Sequence, residues 1–356
     1  MSKSKKAIIF PALLLAAFLT GCEILDDFSE QIDPPQTVTY TEDEEAEKGK
    51  EDKKGNSDKN SDAVKEKTVM TELYLIDKNG YVVPRTMALP DTKSVAKQAL
   101  EYLVKDGPVT ELLPDGFRAV LPPGTEMTVD VKDDTAVVDF SKEFKNYKPE
   151  DEEKILQAVT WTLTQFEPID KVKIKLNGEE LTEMPVAGTP IGKFSTRAQG
   201  INVDTTEAVD ITNTKALTVY YLAGEENGYY YVPVTKRVSK EAGHDAAQVV
   251  NELVRGPSPS SDLLTDFLPD AALIDEPVVA DGEVTLNFNE YIYSGADGEK
   301  RISDHLLNML VLSLTELEGI EKVSLLVNGE KGLVKENGEK LVEPVTRPEK
   351  VNTGSF

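Results

Sequence analysis

Apolar and polar positions follow two rhythms along most of this chain. Met127 to Val131 and Thr135 to Phe140 alternate apolar and polar around Lys132, Asp133 and Asp134, which predicts a β-hairpin. Ala96, Ala99, Leu100 and Leu103 instead follow helical spacing, with Asp91 as the expected N-cap and Gly107-Pro108 as the stop. A second helix is predicted from Pro149 to Phe166. Pro149 suits the first turn, and Glu150 to Glu153 favour the positive end of the helix dipole. Extended runs are expected at Glu72–Ile76, Tyr81–Leu89 and Lys171–Leu176, the last running into an Asn-Gly turn.

The second helix carries apolar residues on two sides. At about 100° per residue, Ile155, Leu156, Val159, Leu163 and Phe166 share one face, which is the expected core stripe. Trp161 falls on the opposite side.

This grammar is then repeated. Val83-Pro84, Gly107-Pro108, Leu121-Pro122, Asn177-Gly178-Glu179 and Thr196-Arg197 recur in the same order as Val232-Pro233, Gly256-Pro257, Leu268-Pro269, Asn328-Gly329-Glu330 and Thr346-Arg347, about 150 residues later. A duplicated domain is the expectation, with copies at 69–204 and 215–354 joined by a linker at 205–214. In the second copy, strands are expected at Thr218–Leu222, Tyr229–Val238, Glu283–Phe288 and Lys322–Val327. Helices are expected through Ala246–Leu253 and Ser303–Leu317. There Leu312 stands where Trp161 stood, with Val311 and Met309 adding apolar bulk. Trp161, Leu312, Val311 and Met309 are therefore a candidate partner or interdomain surface, packed either on the rest of the chain or on another protein. Helices interspersed with strands in this way predict an α+β fold: two tandem repeats, each with two helices on a small, mostly antiparallel sheet.

Ahead of the repeats the pattern changes. Lys3, Lys5 and Lys6 precede an apolar run from Ala7 to Leu19, then Thr20-Gly21-Cys22. A short positive region, an apolar stretch too brief to span a bilayer and small residues at its end describe a signal peptide over residues 1–21. The charged, apolar-poor stretch that follows, within 22–68, is expected to be a disordered acidic tether.

Composition narrows the function. The formal net charge is −25, and loss of residues 1–21 removes three lysines and no acid. That excludes nucleic acid, whose phosphates demand clustered cations. Cys22 is the only cysteine and the two histidines, His244 and His305, are not spaced as a zinc pair, so neither metal nor cofactor is expected. Asp130, Asp133, Asp134 and Asp139 cluster about the predicted hairpin. The second copy has Asp281, Glu283, Asn287 and Asn289 in that region, so turn formation explains the acids better than a catalytic carboxylate pair. Arg197 and Arg347 are expected to tie each tail back to its own domain. No catalytic residue, no enzyme activity and no small-molecule substrate are expected. An extracytoplasmic enzyme acting on wall glycan is the alternative.

Leu19-Thr20-Gly21-Cys22 resembles the lipobox of bacterial lipoprotein precursors, which implies that Cys22 is lipidated and becomes the mature N-terminus. The repeats resemble the GerMN domain family through the segments TLTQFEPIDKVKIKLNGE and SLTELEGIEKVSLLVNGE and through the Thr-Arg-x-x-x-(Ile/Val)-Asn tails. That resemblance implies a fold like the ring-building motifs of secretion systems. It also implies a non-enzymatic, lipid-anchored scaffold role in sporulation and germination. The expected location is the extracytoplasmic face of the cell membrane, around the forespore in sporulating cells. The implied partners are envelope proteins of the mother cell–forespore channel complex. Two unequal copies in one chain would satisfy each other's interface and stop ring assembly.

Overall fold

The computed structural model describes residues 67–206, 213–225, 228–240, 243–294 and 299–354, all within one compact unit. The predicted signal peptide, Cys22 and the tether before residue 67 lie outside the described residues, as does most of the predicted linker.

The first repeat opens with a hairpin of β1 (Thr68–Ile76) and β2 (Val82–Pro90), paired antiparallel. Its turn is set by Asp77, whose carboxylate accepts hydrogen bonds from the backbone N–H of Asn79 and Tyr81 at 2.9 and 2.8 Å. Helix α1 (Val95–Glu101) follows, then the hairpin of β3 (Met127–Lys132) and β4 (Thr135–Phe140). Helix α2 (Glu152–Leu163) leads to β5 (Lys171–Leu176) and the short β6 (Glu179–Glu180). These form a four-stranded sheet in the order β3-β4-β5-β6. The outer pairings are antiparallel, but β4 and β5 run parallel. A helix connects them, and a strand–helix–strand crossover returns the chain in the same direction.

The second repeat has the same plan. The hairpin is β7 (Thr214–Glu225) with β8 (Gly228–Ser239), and α3 (Asp245–Arg255) follows. The sheet comprises β9 (Val278–Ala280), β10 (Glu283–Phe288), β12 (Lys322–Val327) and β14 (Val345–Thr346), in the order β14-β12-β10-β9. Helix α4 (Asp304–Leu314) connects the parallel strands β10 and β12. A small parallel pair, β11 (Arg301–Ile302) with β13 (Val334–Lys335), stands beside this sheet.

Each sheet therefore holds one central parallel pair within otherwise antiparallel pairings. Two local expectations change. The N-cap of α1 is Ser94, and the amide of Asp91 instead bonds the carbonyl of Lys67. Gly256 caps α3 with φ 84°, as expected, whereas α1 ends at Tyr102, before Gly107 is reached. Gly107 closes a separate turn by donating to the Val104 carbonyl.

Helices α2 and α4 are buried nearly all round, and the hairpins explain it. One side of α2 faces its sheet. The other faces β1, where the Tyr74 N–H donates to Thr162 Oγ1 at 3.2 Å. Gln165, just beyond the helix, exchanges two backbone bonds with Glu72 at 2.8 and 2.6 Å. In the second repeat the Tyr220 N–H donates to Ser313 Oγ on α4 at 2.8 Å. A helix sandwiched between two layers needs apolar residues all round.

The N-terminus of α2 is held by a buried carboxylate. Glu152 is 1% exposed. It accepts from the amides of Val186, Ala187 and Thr189 at 2.9, 2.7 and 2.8 Å and from the Tyr147 hydroxyl at 2.8 Å. Burial opposes the charge, but these donors outweigh it and hold the carboxyl down to about 2. An unfolded glutamate titrates near about 4.3. The stabilisation is therefore complete above that pH and is lost as pH falls towards 2, a contribution of about 3 kcal/mol. Glu152→Gln should lower stability at pH 7 and flatten the acid limb of the stability profile. Urea midpoints at pH 7 and pH 3 check this; equal acid slopes in the two proteins would count against it.

Candidate functional site at the seam between the repeats

The hairpins β1–β2 and β7–β8 face each other, and the tail of each repeat crosses to the hairpin of the other. Ile201 exchanges backbone hydrogen bonds with Thr235 on β8. The Thr235 N–H donates to the Ile201 carbonyl at 2.9 Å, and the Ile201 N–H donates to Thr235 Oγ1 at 2.9 Å. Val351 does the same with Thr86 on β2, at 2.9 and 2.8 Å.

The next residue in each tail is an asparagine in the left-handed region, Asn202 at φ 46° and Asn352 at φ 55°. Asn202 accepts from the Val82 N–H and donates to the carbonyls of Val82 and Pro233. Asn352 accepts from the Tyr231 N–H and donates to the carbonyls of Tyr231 and Pro84. Each carboxamide thus bridges its own hairpin to the other repeat's. Asparagine suits the place because it tolerates positive φ and carries both donor and acceptor. The two sets are related by a pseudo-two-fold axis, since Val82 corresponds to Tyr231 and Pro84 to Pro233.

Between the tails lies a partly buried charge cluster, its side chains 9% to 30% exposed. Arg197 pairs with Glu316 across the repeats at 2.8 Å, and its Nε donates to Thr164 Oγ1 at 2.9 Å. Arg347 pairs with Glu316 at 3.1 Å and reaches across to Glu72 at 3.7 Å. The Tyr220 hydroxyl donates to Glu316 at 2.8 Å, and the Tyr74 hydroxyl donates to Glu72 at 3.3 Å. Two arginines face two carboxylates, so the cluster balances its charge. Burial disfavours the charges of Arg197, Arg347 and Glu316, yet the opposite charges win. Arg197 and Arg347 are held above the usual arginine range and Glu316 below the usual carboxylate range. Burial, reinforced by neighbouring acids, pushes Tyr74 and Tyr220 up, so both stay neutral donors. A further contact crosses the seam where the Tyr230 hydroxyl donates to Asp77 at 2.9 Å.

The arginines therefore do more than tie each tail to its own repeat, as expected from sequence; they join the two repeats. Trp161 lies beside them, 1% exposed, with the Arg197 guanidinium 4.4 Å from its ring and Tyr74 at 5.7 Å. Leu312, Val311 and Met309 are fully buried. Leu312 packs with Tyr220 and Val351, so it too belongs to the seam. None of the four presents its side chain to solvent. Cys22 lies outside the described residues.

Two of the hairpin acids, Asp134 and Asp139, have structural partners. Asp134 pairs with Lys171. Asp139 accepts from the Gly178 N–H at 2.9 Å, and its counterpart Asn287 accepts from the Gly329 N–H at 2.8 Å. An acid and an amide doing the same work at equivalent turns marks a turn-capping role. His244 is the N-cap residue of α3, and His305 packs against Tyr229. Among the described residues, no group of three or more His, Cys, Asp or Glu side chains is placed to hold a metal ion. Three hollows of about 270, 190 and 120 Å³ line this part of the molecule. They fall below the roughly 300–1,000 Å³ of ligand-binding cavities.

The geometry defines a tandem-repeat α+β protein whose two units close on each other through their own tails. The chain belongs to the Germane family of sporulation and spore germination, whose model matches residues 72–182 and again 218–332. It is 54% identical to the spore germination protein GerM of Bacillus subtilis (strain 168), over 100% of both chains. Among solved structures it is similar to the tandem GerMN domains of the Bacillus subtilis sporulation protein GerM. There the identity is 58% and the TM-score 0.76, over 80% of this chain and 100% of that one. The chain is thus a tandem-GerMN protein of sporulation and germination.

Proposed function

We propose that this protein is a non-enzymatic, lipid-anchored scaffold of the sporulation envelope. It supports the channel complex between mother cell and forespore and is needed for sporulation and efficient germination. Full-length kinship to a spore germination protein supports the process. The observation that carries the scaffold reading is the seam, where the partly buried arginines and glutamates of both repeats neutralise one another within one compact unit. Asp134 and Asp139, engaged by Lys171 and by the Gly178 amide, give the wall-glycan enzyme no favouring observation. A thiol at Cys22, alkylated by lipid, holds the acidic body to the outer face of the membrane that it would otherwise avoid.

One experiment tests anchoring and partnership together. Membranes from sporulating cells carrying the tagged wild-type chain or Cys22→Ala are cross-linked, solubilised and captured on the tag. The wild type should be in the membrane fraction and bring down envelope proteins of the channel complex; Cys22→Ala should move to the soluble fraction, still folded. Wild-type capture without any envelope partner sinks the scaffold, and persistent membrane attachment of Cys22→Ala sinks the anchor.

A further inference from the structure

The two repeats share a plan, so a difference between equivalent edges is informative. In the first repeat the sheet edge is β3, whose inward residues Met127 and Val129 are buried while Thr128, Asp130 and Lys132 face solvent. Charged residues on an edge strand discourage pairing with other chains. Helix α1 also packs against β3. In the second repeat the equivalent edge is β9, and all three of its residues are exposed and apolar: Val278 at 63%, Val279 at 40%, and Ala280. Ile274, 48% exposed, extends the strip, its N–H bonded to the Asn287 carbonyl on β10. Among the described residues β9 pairs only with β10, leaving its outer edge open.

Its charge surroundings decide what fits. Residues 256–299 contain ten acids and no lysine or arginine over 44 positions. Asp275 and Glu276 lie between Ile274 and Val278 and Asp281 follows Ala280, all three exposed. The corresponding stretch of the first repeat carries Arg118, Lys132, Lys142, Lys145 and Lys148. A second copy of this chain, paired antiparallel at β9, would bring Asp275 and Glu276 against Asp281 and Glu283, like charge on like charge. A cationic partner turns the same rim into an attraction.

We infer that β9 and its acidic rim form a docking edge for an extended apolar segment of another protein flanked by lysine or arginine. The segment adds a strand beside β9, covers Val278, Val279 and Ile274, and sets its cations against Asp275, Glu276 and Asp281. The inference deepens the scaffold reading by giving it a surface, and its test needs no knowledge of the natural partner.

The test is fluorescence anisotropy of the labelled peptide KKVTVTVKK with the purified full-length protein. Saturable binding is expected, weakening as salt rises. The double variant Val278→Lys/Val279→Lys should bind at least about tenfold more weakly, a change of about 1.4 kcal/mol. Asp275→Asn/Glu276→Gln/Asp281→Asn should flatten the salt dependence. Both variants alter exposed side chains, and circular dichroism confirms that they fold. Equal binding to wild type and the Val278/Val279 variant overturns the proposal, as does absence of saturation at millimolar protein. So does equally tight binding of EEVTVTVEE, or dimerisation through β9 detected by sedimentation. If the peptide fails while envelope proteins are still captured from membranes, only the docking edge is wrong.

Discussion

Glu316→Gln is expected to cost about 2–4 kcal/mol, because it leaves two partly buried guanidiniums short of charge. Among the described residues Glu316 is the carboxylate that both Arg197 and Arg347 touch, and Tyr220 donates to it as well. The amide keeps the shape and one acceptor oxygen but removes the charge. Glu72 alone then faces both arginines, and it reaches only Arg347, at 3.7 Å. Urea denaturation at pH 7 measures the loss. The pH dependence supplies a second check. A carboxyl held below its unfolded value stabilises fully above that value and less as acid protonates it. The deficit of the variant should therefore be largest near neutrality and shrink in acid. A variant as stable as the wild type at pH 7, or a deficit that grows in acid, would remove the cluster from any central role.

Trp161→Ala should be comparably severe, at about 3–5 kcal/mol. The ring is enclosed by Tyr74 from the hairpin and by the Arg197 guanidinium from the tail, so truncation opens a cavity at the meeting point of three segments. It also removes the cation–π support of Arg197, which then keeps only Thr164 and Glu316. Trp161→Phe, which keeps a ring, should recover much of the loss. Thermal or urea unfolding separates this from a docking role. If Trp161→Ala lost a partner while its midpoint stayed unchanged, the packing account would fail.

Much of the repeat was legible in the sequence. Lys171–Leu176 and Lys322–Val327 have the predicted limits; in the first, strict apolar–polar alternation leaves little freedom of register, and in both the Asn-Gly turn marks the end. The helical wheel also placed Trp161 and Leu312 away from the sheet. What covers them was not legible. The covering strands β1 and β7 lie some ninety residues upstream, linked to the helices by single hydrogen bonds from Tyr74 and Tyr220. No local pattern marks so distant a pairing. Asn202 and Asn352 were read as part of a shared tail; their repetition was visible, but a carboxamide bridging two hairpins looks in sequence like any turn asparagine. The misplaced cap at Asp91 arose because a good capping residue was bonded elsewhere, through its backbone. The open edge at β9 had a visible signal, the cation-free run from 256 to 299, which gains meaning only once that run is seen to border a sheet edge.

The crossed tails also turn the symmetry of the molecule inward, pairing its two repeats with each other. Two similar units related by a two-fold axis ordinarily offer every surface twice, and a protein of that kind can bridge or polymerise its partners. Here the axis is internal and approximate, and the copies have diverged around it. Among the described residues the charge-rimmed edge is present at β9 and absent at β3. If β9 docks a partner as inferred, one chain would offer that contact once, which suits ending or decorating an array and not propagating it.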